Sequence, residues 1–507
     1  MRTKKSIRNV IIAMIMNVFT VVIGLISQKV FLEILNTEYL GINGLFNNII
    51  SMLGIAELGI GAAIIYNLYK PIASNDKEKI KSLMRFYRTS YRVIALIVLL
   101  LGLLILPFLP IIVGTVEITE NIYIIYLMFL IDIVFSYLLT YKRSILYANQ
   151  ENYIINLVHI FYLVIMNVLQ MVLLVLTKNY YIYLFIKILM RLLENIVLTI
   201  IANKKYNILL EKNVSKLDKD TQNDILKKVK ALIFHKIGSF VVLGTDNILI
   251  STFLGVKIVG LYSNYSLIIT TISNFVMQIF TSITASVGNL LTLENSKKNF
   301  EVYKKVRFIN FWISSFAAIG FLICMDSFIT LWIGKQYILS KYVLIVLAIN
   351  LFLSLFRYSI SSFKEAAGIF YEDRFVPLVE AGTNLVMSLI FMHFFGLAGV
   401  FMGTVCSNLV LHLYSYPKFV YKTLFKKEYT QYYKDFTKYF LLFIVTGSVT
   451  YIISNTLVNN NYHNLLFQLI VCITTPNLIY IVIFKKNQEF KFFLNILKTS
   501  IRKIRIR

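Results

Sequence analysis

About fourteen apolar runs of some twenty residues, separated by short polar segments, dominate this sequence of 507 residues. A helix rises about 1.5 Å per residue, so roughly 20 apolar residues cross a hydrocarbon core about 30 Å thick. Inside that core each backbone N–H and C=O must be paired within its own segment, and runs of this length do so as helices. The runs fall near 9–32, 40–69, 93–113, 121–141, 153–176, 180–202, 232–254, 259–290, 308–332, 342–362, 376–395, 397–417, 439–457 and 464–484. They predict an all-α integral membrane protein. The residues are 58% hydrophobic and 15% charged, too much apolar surface for a soluble globule, where charged residues average about 25%.

A formal net charge of +26 would suit a nucleic-acid binder, but its placement argues for another role. With the N-terminus inside, about 43 of the 51 Lys and Arg fall in cytoplasmic segments, about four outside and about four within spans. The basic surplus therefore sets topology, with both termini cytoplasmic, and attraction to anionic lipid follows from it. No nucleic-acid partner is expected. The external connections 33–39, 114–119, 177–179 and 255–258 leave no room for a folded domain. Residues 1–32 start basic and turn apolar like a signal peptide, but the run is too long and lacks a small-residue cleavage site, so it reads as a retained first helix. Cys324, Cys406 and Cys472 are odd in number and scattered, which offers neither a disulfide framework nor a metal set. His159, His393 and His412 lie on different helices without ligand spacing. Phosphate-cradling loops and nucleophile elbows are missing too, so neither enzymatic activity nor a cofactor is expected.

The longest hydrophilic stretch, 203–230, divides the chain into halves that match at an offset of roughly 220 residues. Tyr39-Leu40-Gly41 answers to Val259-Gly260-Leu261, Tyr66-Asn67-Leu68 to Gly288-Asn289-Leu290, and Gln150-Glu151-Asn152-Tyr153 to Glu372-Asp373-Arg374-Phe375. Each match also occupies the same topological place. The expected organisation is an N-lobe of six helices (1–202), a basic cytoplasmic linker (203–230), a pseudo-symmetric C-lobe of six helices (231–418), and a C-terminal helix pair with a basic tail (419–507). Six spans separate equivalent points, so the repeats share orientation and their axis should run along the membrane normal.

Four motifs carry a resemblance: Tyr39-Leu40-Gly41, Ile55-Ala56-Glu57-Leu58-Gly59, Gly368-Ile369-Phe370-Tyr371-Glu372, and Gly396-Leu397-Ala398-Gly399-Val400-Phe401-Met402-Gly403-Thr404. In order and topology the chain resembles, over nearly its whole length, the Wzx-type polysaccharide flippases of the multidrug/oligosaccharidyl-lipid/polysaccharide exporter superfamily. The resemblance implies transport of an undecaprenyl (isoprenoid) pyrophosphate-linked oligosaccharide from the cytoplasmic to the outer leaflet of a bacterial cell membrane. It implies the lipid-linked oligosaccharide, membrane lipids and other polysaccharide-assembly proteins as partners. Capsule, exopolysaccharide, O-antigen and teichuronic-type products all remain open. Composition and spacing say nothing about sugar. Three other readings stand beside this one: a drug/cation antiporter of the same superfamily, a membrane-embedded polysaccharide polymerase, and a non-transporting scaffold.

Ionisable groups at membrane depth cost about 2.5–3.5 kcal/mol on insertion scales, so each needs a partner, a wet cavity or a function. Projected as one helix, 40–69 gathers Asn43, Asn47, Gly54, Glu57 and Gly61 on one broad face. Its repeat mate carries Asn264, Thr271, Gln278 and Ser282. Two such stripes predict either a polar cleft lined by helices one, two, seven and eight or interhelical hydrogen bonds at a static interface. Glu57 and Asp246 are candidates for coupling to H+ or Na+, or for structural roles; Glu57 could serve as a packing ligand around Gly59 and Gly61. For the pyrophosphate that the resemblance implies, the candidate cations are Lys29, Lys187, Arg191 and Arg357. Lys29 and Arg357 could equally snorkel to the interface, and Arg191 could pair with Glu194 on its own helix, leaving Lys187 in need of another anion. Trp332, Tyr123, Tyr180, Tyr181 and Tyr342 lie near external span ends and predict an aromatic belt.

Overall fold

The computed structural model describes residues 19–57, 59–211, 214–369, 372–455 and 461–505, and among these residues all regular structure is helical. Helix α1 covers 19–34, followed by α2 (Thr37–Leu53), α3 (Ile60–Ala73), α4 (Lys77–Ile105), α5 (Leu109–Val113), α6 (Ile122–Thr140), α7 (Arg143–Ala148), α8 (Asn152–Thr177) and α9 (Tyr180–Lys205). Then come α10 (Lys219–Leu254), α11 (Val256–Leu293), α12 (Ser296–Trp332), α13 (Lys341–Phe356), α14 (Tyr358–Ala366), α15 (Val376–Phe395), α16 (Leu397–Val410), α17 (Tyr429–Ser454), α18 (Asn461–Phe484) and α19 (Gln488–Arg505). Short polar side chains set the starts. Asn36, Asp76, Asn121, Asn179, Asp218 and Asn295 each accept a hydrogen bond from a backbone N–H in the first turn of the helix that follows. Ten described helical segments are long and apolar enough to cross a bilayer. The chain is a multi-pass membrane protein.

Four expected spans are not continuous α-helices. In 93–113 a 3₁₀ turn, Leu106–Phe108, separates α4 from α5. The run 40–69 breaks between α2 and α3, where a 3₁₀ turn, Gly54–Glu57, leads to Gly59 at φ +79°. That backbone angle suits glycine and would strain other residues. A projection at 100° per residue therefore does not carry across the break, and the single polar stripe expected from Asn43 to Gly61 divides there. The run 342–362 is interrupted at Arg357. The Asn310 amide donates to the Leu355 and Phe356 carbonyls at 3.2 and 2.6 Å, taking acceptors from the helical ladder. In 397–417, α16 widens into a π-helical stretch, Leu411–Tyr421, around Pro417, which has no N–H to give.

Two compact units divide between Ser263 and Asn264, inside α11. In the first, α2 packs on α6 and α10, and α9 on α6 and α8. The start of α11 meets α2 glycine to glycine: a β-carbon on Gly41 would run into the Val256 carbonyl and lie 3.1 Å from the Gly260 nitrogen. A β-carbon on Gly260 would likewise run into the Thr37 carbonyl and lie 3.1 Å from the Gly41 nitrogen. Both glycines lie within the two triplets that the sequence comparison set against each other, one place out of step. Tyr180, expected in the aromatic belt, is fully buried in this unit, edge-on to Phe31 and Tyr39.

The second unit is built on α12, against which α13, α17, α18 and α19 pack. Its core is aromatic: Phe352 stacks on Phe443 at 4.1 Å, Phe311 lies tilted against Tyr439 at 4.6 Å, and the Trp312 indole donates to Asn477 at 2.7 Å. The C-terminal pair α17–α18 thus supplies much of that core. Cys324 and Cys472, scattered in sequence, come within 3.9 Å of each other across α12 and α18. Arg307 is buried, donating to the Tyr421 hydroxyl at 2.5 Å and to Asp435 at 2.9 Å. Asp435→Ala would leave that guanidinium without its counter-charge. The substitution is expected to cost about 3 kcal/mol or more and to lower the thermal unfolding midpoint in detergent.

Candidate functional site

The sequence places Lys187 and Arg191 one turn apart on α9, and both reach α6. Arg191 Nε donates to Asp132 Oδ1 at 2.6 Å, and the Lys187 amine lies 3.7 Å from Asp132 Oδ2. Arg191 therefore does not pair with Glu194 as the helical spacing allowed. Glu194 is held instead by Arg143 at 3.2 Å and by His159 Nδ1 at 3.1 Å. Arg191 and Glu194 each find a partner on a packed neighbouring helix rather than along α9. The other anion that Lys187 required is Asp132, itself shared.

Two cations and one carboxylate leave a surplus of one positive charge at this point of the first unit. The distance from Lys187 to Asp132 is beyond hydrogen-bond reach, so that contact is an ion pair alone. The amine's described hydrogen bond goes to Asn47 Oδ1 at 3.3 Å, and it lies 4.5 Å from the centre of the Phe129 ring. Asn47 in turn donates to Asn43 Oδ1 at 3.2 Å; Asn47 is exposed and Asn43 half-buried. The structure thus brings together four residues singled out in the sequence, Asn43, Asn47, Lys187 and Arg191, around one that was not. Asp132 is the sole charge in the run 121–141, and the rule that flagged Glu57 would have found it.

Glu57 lies at the end of the 3₁₀ turn, where Oε1 accepts from the Tyr91 hydroxyl at 2.5 Å. Tyr91 accepts in turn from the Tyr87 hydroxyl, their oxygens 3.3 Å apart. A β-carbon on Gly61 would meet Glu57 Oε1 at 2.6 Å and the Tyr91 and Tyr87 hydroxyl oxygens at 2.6 and 2.9 Å, and Glu57 has no ion-pair partner among the described residues. Asp246 is half-buried on α10, and its neighbour Asn247 donates to the Gly44 carbonyl at 3.4 Å. Lys29 is exposed on α1 and makes no ion pair among the described residues. In the second unit, Arg357 sits at the break between α13 and α14, bound to Glu380 at 3.3 Å and to Asn408 Oδ1 at 3.2 Å. Its charge is matched, and Glu380 is a second carboxylate that was not singled out in the sequence. Asn264 is fully buried and Gln278 half-buried on α11.

A family model described as "Polysaccharide biosynthesis protein" matches residues 6–284, more than half of the sequence. The chain belongs to this family. Comparison with curated proteins gives no match. Among solved structures, the lipid II flippase MurJ in an inward closed conformation is similar with a TM-score of 0.66 and 15% identity, over 94% of this chain and 99% of that one. An inward-facing multidrug resistance MATE family transporter of the MOP superfamily gives 0.57 and 16%, over 77% and 91%. The Vibrio cholerae MATE transporter VcmN gives 0.55 and 14%, over 80% and 94%. At such identities the likeness is one of fold, and this member of the polysaccharide biosynthesis family has the fold of MOP-superfamily transporters.

Proposed function

We propose that this protein is a flippase that carries undecaprenyl pyrophosphate-linked oligosaccharide from the cytoplasmic to the outer leaflet, for cell-surface polysaccharide synthesis. The observation that carries this reading is the surplus positive charge where Lys187 and Arg191 share Asp132, beside the exposed amide of Asn47. A pyrophosphate is the anion such a point accepts: the guanidinium fork offers paired N–H donors, and the Lys187 ammonium offers donors that Asp132 does not fill. Family membership and the fold shared with a lipid II flippase support it. Lys29 serves as a further substrate contact in the first unit, and Arg357 offers one in the second by exchanging Glu380 for phosphate. The repeats 1–202 and 231–418 act as the units of alternating access, with both termini in the cytoplasm.

Complementation tests this reading directly. In a bacterium lacking its own polysaccharide flippase, the protein is expected to restore surface glycan and to clear the lipid-linked intermediate from the cytoplasmic leaflet. Unchanged accumulation, with the protein inserted and abundant, against lipid-linked substrates of several glycan types would overturn it.

Glu57 supports a second reading, a cation antiporter, because an acid among tyrosine hydroxyls without a described cationic partner suits a positively charged solute. Drug-efflux assays on the same cells separate the two. Under the flippase reading Glu57 and Asp246 couple transport to H+ or Na+. Glu57→Gln is then expected to leave the protein folded while removing the dependence of glycan export on the ion gradient, read by export rates with and without an ionophore.

A further inference from the structure

Away from the Lys187 site, a cavity of about 310 Å³ opens between the N-terminal turns of α4, the corner joining α6 to α7, and Ile208, Leu209, Leu210, Glu211 and Val214, which follow α9. The charge distribution assigns this end of the first unit to the cytoplasm. Four cations line it, Lys81, Arg85, Arg88 and Lys142, with Glu211 as the acid among them. Lys81 is already neutralised by Glu211 at 2.6 Å and by Glu78. Arg85 donates to the Val214 carbonyl, which anchors the chain over the cavity without cancelling any charge. Arg88 makes no hydrogen bond or ion pair among the described residues, and Lys142 finds only neutral partners, Asn203 Oδ1 at 2.7 Å and the Tyr141 ring. Four positive charges against Glu78 and Glu211 leave two.

A topology signal needs cations on the right side of the membrane but gives no reason for them to converge. Here Arg88 from α4 and Lys142 from the α6–α7 corner face one cavity, and like charges brought together without a counter-ion repel. Burial, with the Arg88 charge adding to it, lowers the Lys142 ammonium from its usual range, as befits a cation held without an anion. The volume would hold roughly ten waters, enough for a hydrated phosphate group. Ile208, Leu209 and Leu210 flank the cations, and Leu210 is 60% exposed, so an apolar edge adjoins the charged floor.

We infer that this cavity binds a phosphate-type anion, with Arg88 and Lys142 as the principal donors. The group arrives on the head of an anionic phospholipid, whose chains the leucine edge would meet, or as a free phosphate or pyrophosphate. Either source satisfies the same two donors, and the site stands whether or not the protein is a flippase.

The test uses the full-length protein in detergent, stripped of lipid. Sodium pyrophosphate is titrated by calorimetry, and phosphatidylglycerol is titrated separately by native mass spectrometry. At least one is expected to bind with one-to-one stoichiometry and to weaken as salt rises. Arg88→Glu should weaken that binding at least tenfold and Lys142→Gln by a similar factor, while Lys297→Ala, an exposed cation of the second unit, should leave it unchanged. Arg88 is exposed and unpartnered among the described residues, so its substitution should preserve the unfolding temperature. Binding of the lipid alone identifies a head-group site, binding of pyrophosphate alone a site for a free anion, and binding of both a site open to either. Absence of both from the unaltered protein, or equal affinity in the folded Arg88→Glu variant, overturns the assignment.

Discussion

Lys187→Ala is expected to lower surface glycan at least tenfold in a complemented flippase-deficient strain, with the amount of inserted protein unchanged. The substitution removes the surplus charge together with the amine's contacts to Asn47 and Asp132, while Arg191 keeps Asp132 at 2.6 Å and α9 stays tied to α6. Lys187→Arg restores the charge on a longer fork and should recover part of the export. Asp132→Asn acts in the opposite way. It leaves two cations in a membrane helix without a counter-charge, at about 2.5–3.5 kcal/mol each on insertion scales, so inserted protein itself should fall. Abundance by immunoblot and surface glycan by staining separate the two outcomes. Full export by Lys187→Ala would sink the claim that a pyrophosphate docks on this charge.

The helical class and the multiple passes are legible in the order of residues alone, because twenty residues without charge leave little else to form. Breaks inside runs are harder to read. Gly54 and Gly59 bracket the 3₁₀ turn, and glycine marks low helix propensity without saying whether a helix tolerates it. The break at Arg357 depends on Asn310, 47 residues earlier by subtraction, reaching two carbonyls; sequence spacing carries no trace of that. Among the charges, the same-helix partner was the readable one and it was wrong for Arg191. An ion pair across helices requires knowing that α9 lies on α6. The three cysteines show the same limit, since Cys324 and Cys472 meet only because α18 packs on α12. What pairs across helices is decided by packing, and periodicity along one helix cannot report it.

Gly41→Ala and Gly260→Ala are each expected to lower the detergent unfolding midpoint, by an amount equivalent to about 1–3 kcal/mol, and valine at either position to prevent stable insertion. At both sites the obstacle is a backbone carbonyl of the facing helix, Val256 or Thr37, and a carbonyl in a helical ladder cannot swing aside as a side-chain tip can. The helices must separate, which forfeits dispersion contacts along the crossing. The two penalties should not add. Both β-carbons contend for one gap, so a first alanine that opens it reduces the cost of the second, and the double variant should be less damaged than the sum. Gly288→Ala, at another glycine of α11, gives the opposite sign. No atom lies within 4 Å of a β-carbon there, so relief of glycine's unfolded-state entropy should raise stability by about 0.5–1 kcal/mol. Equal midpoints for all three variants would mean that the α2–α11 contact does not hold the first unit together. A loss at Gly41 and Gly260 with a gain at Gly288 would show that this crossing requires glycine on both helices.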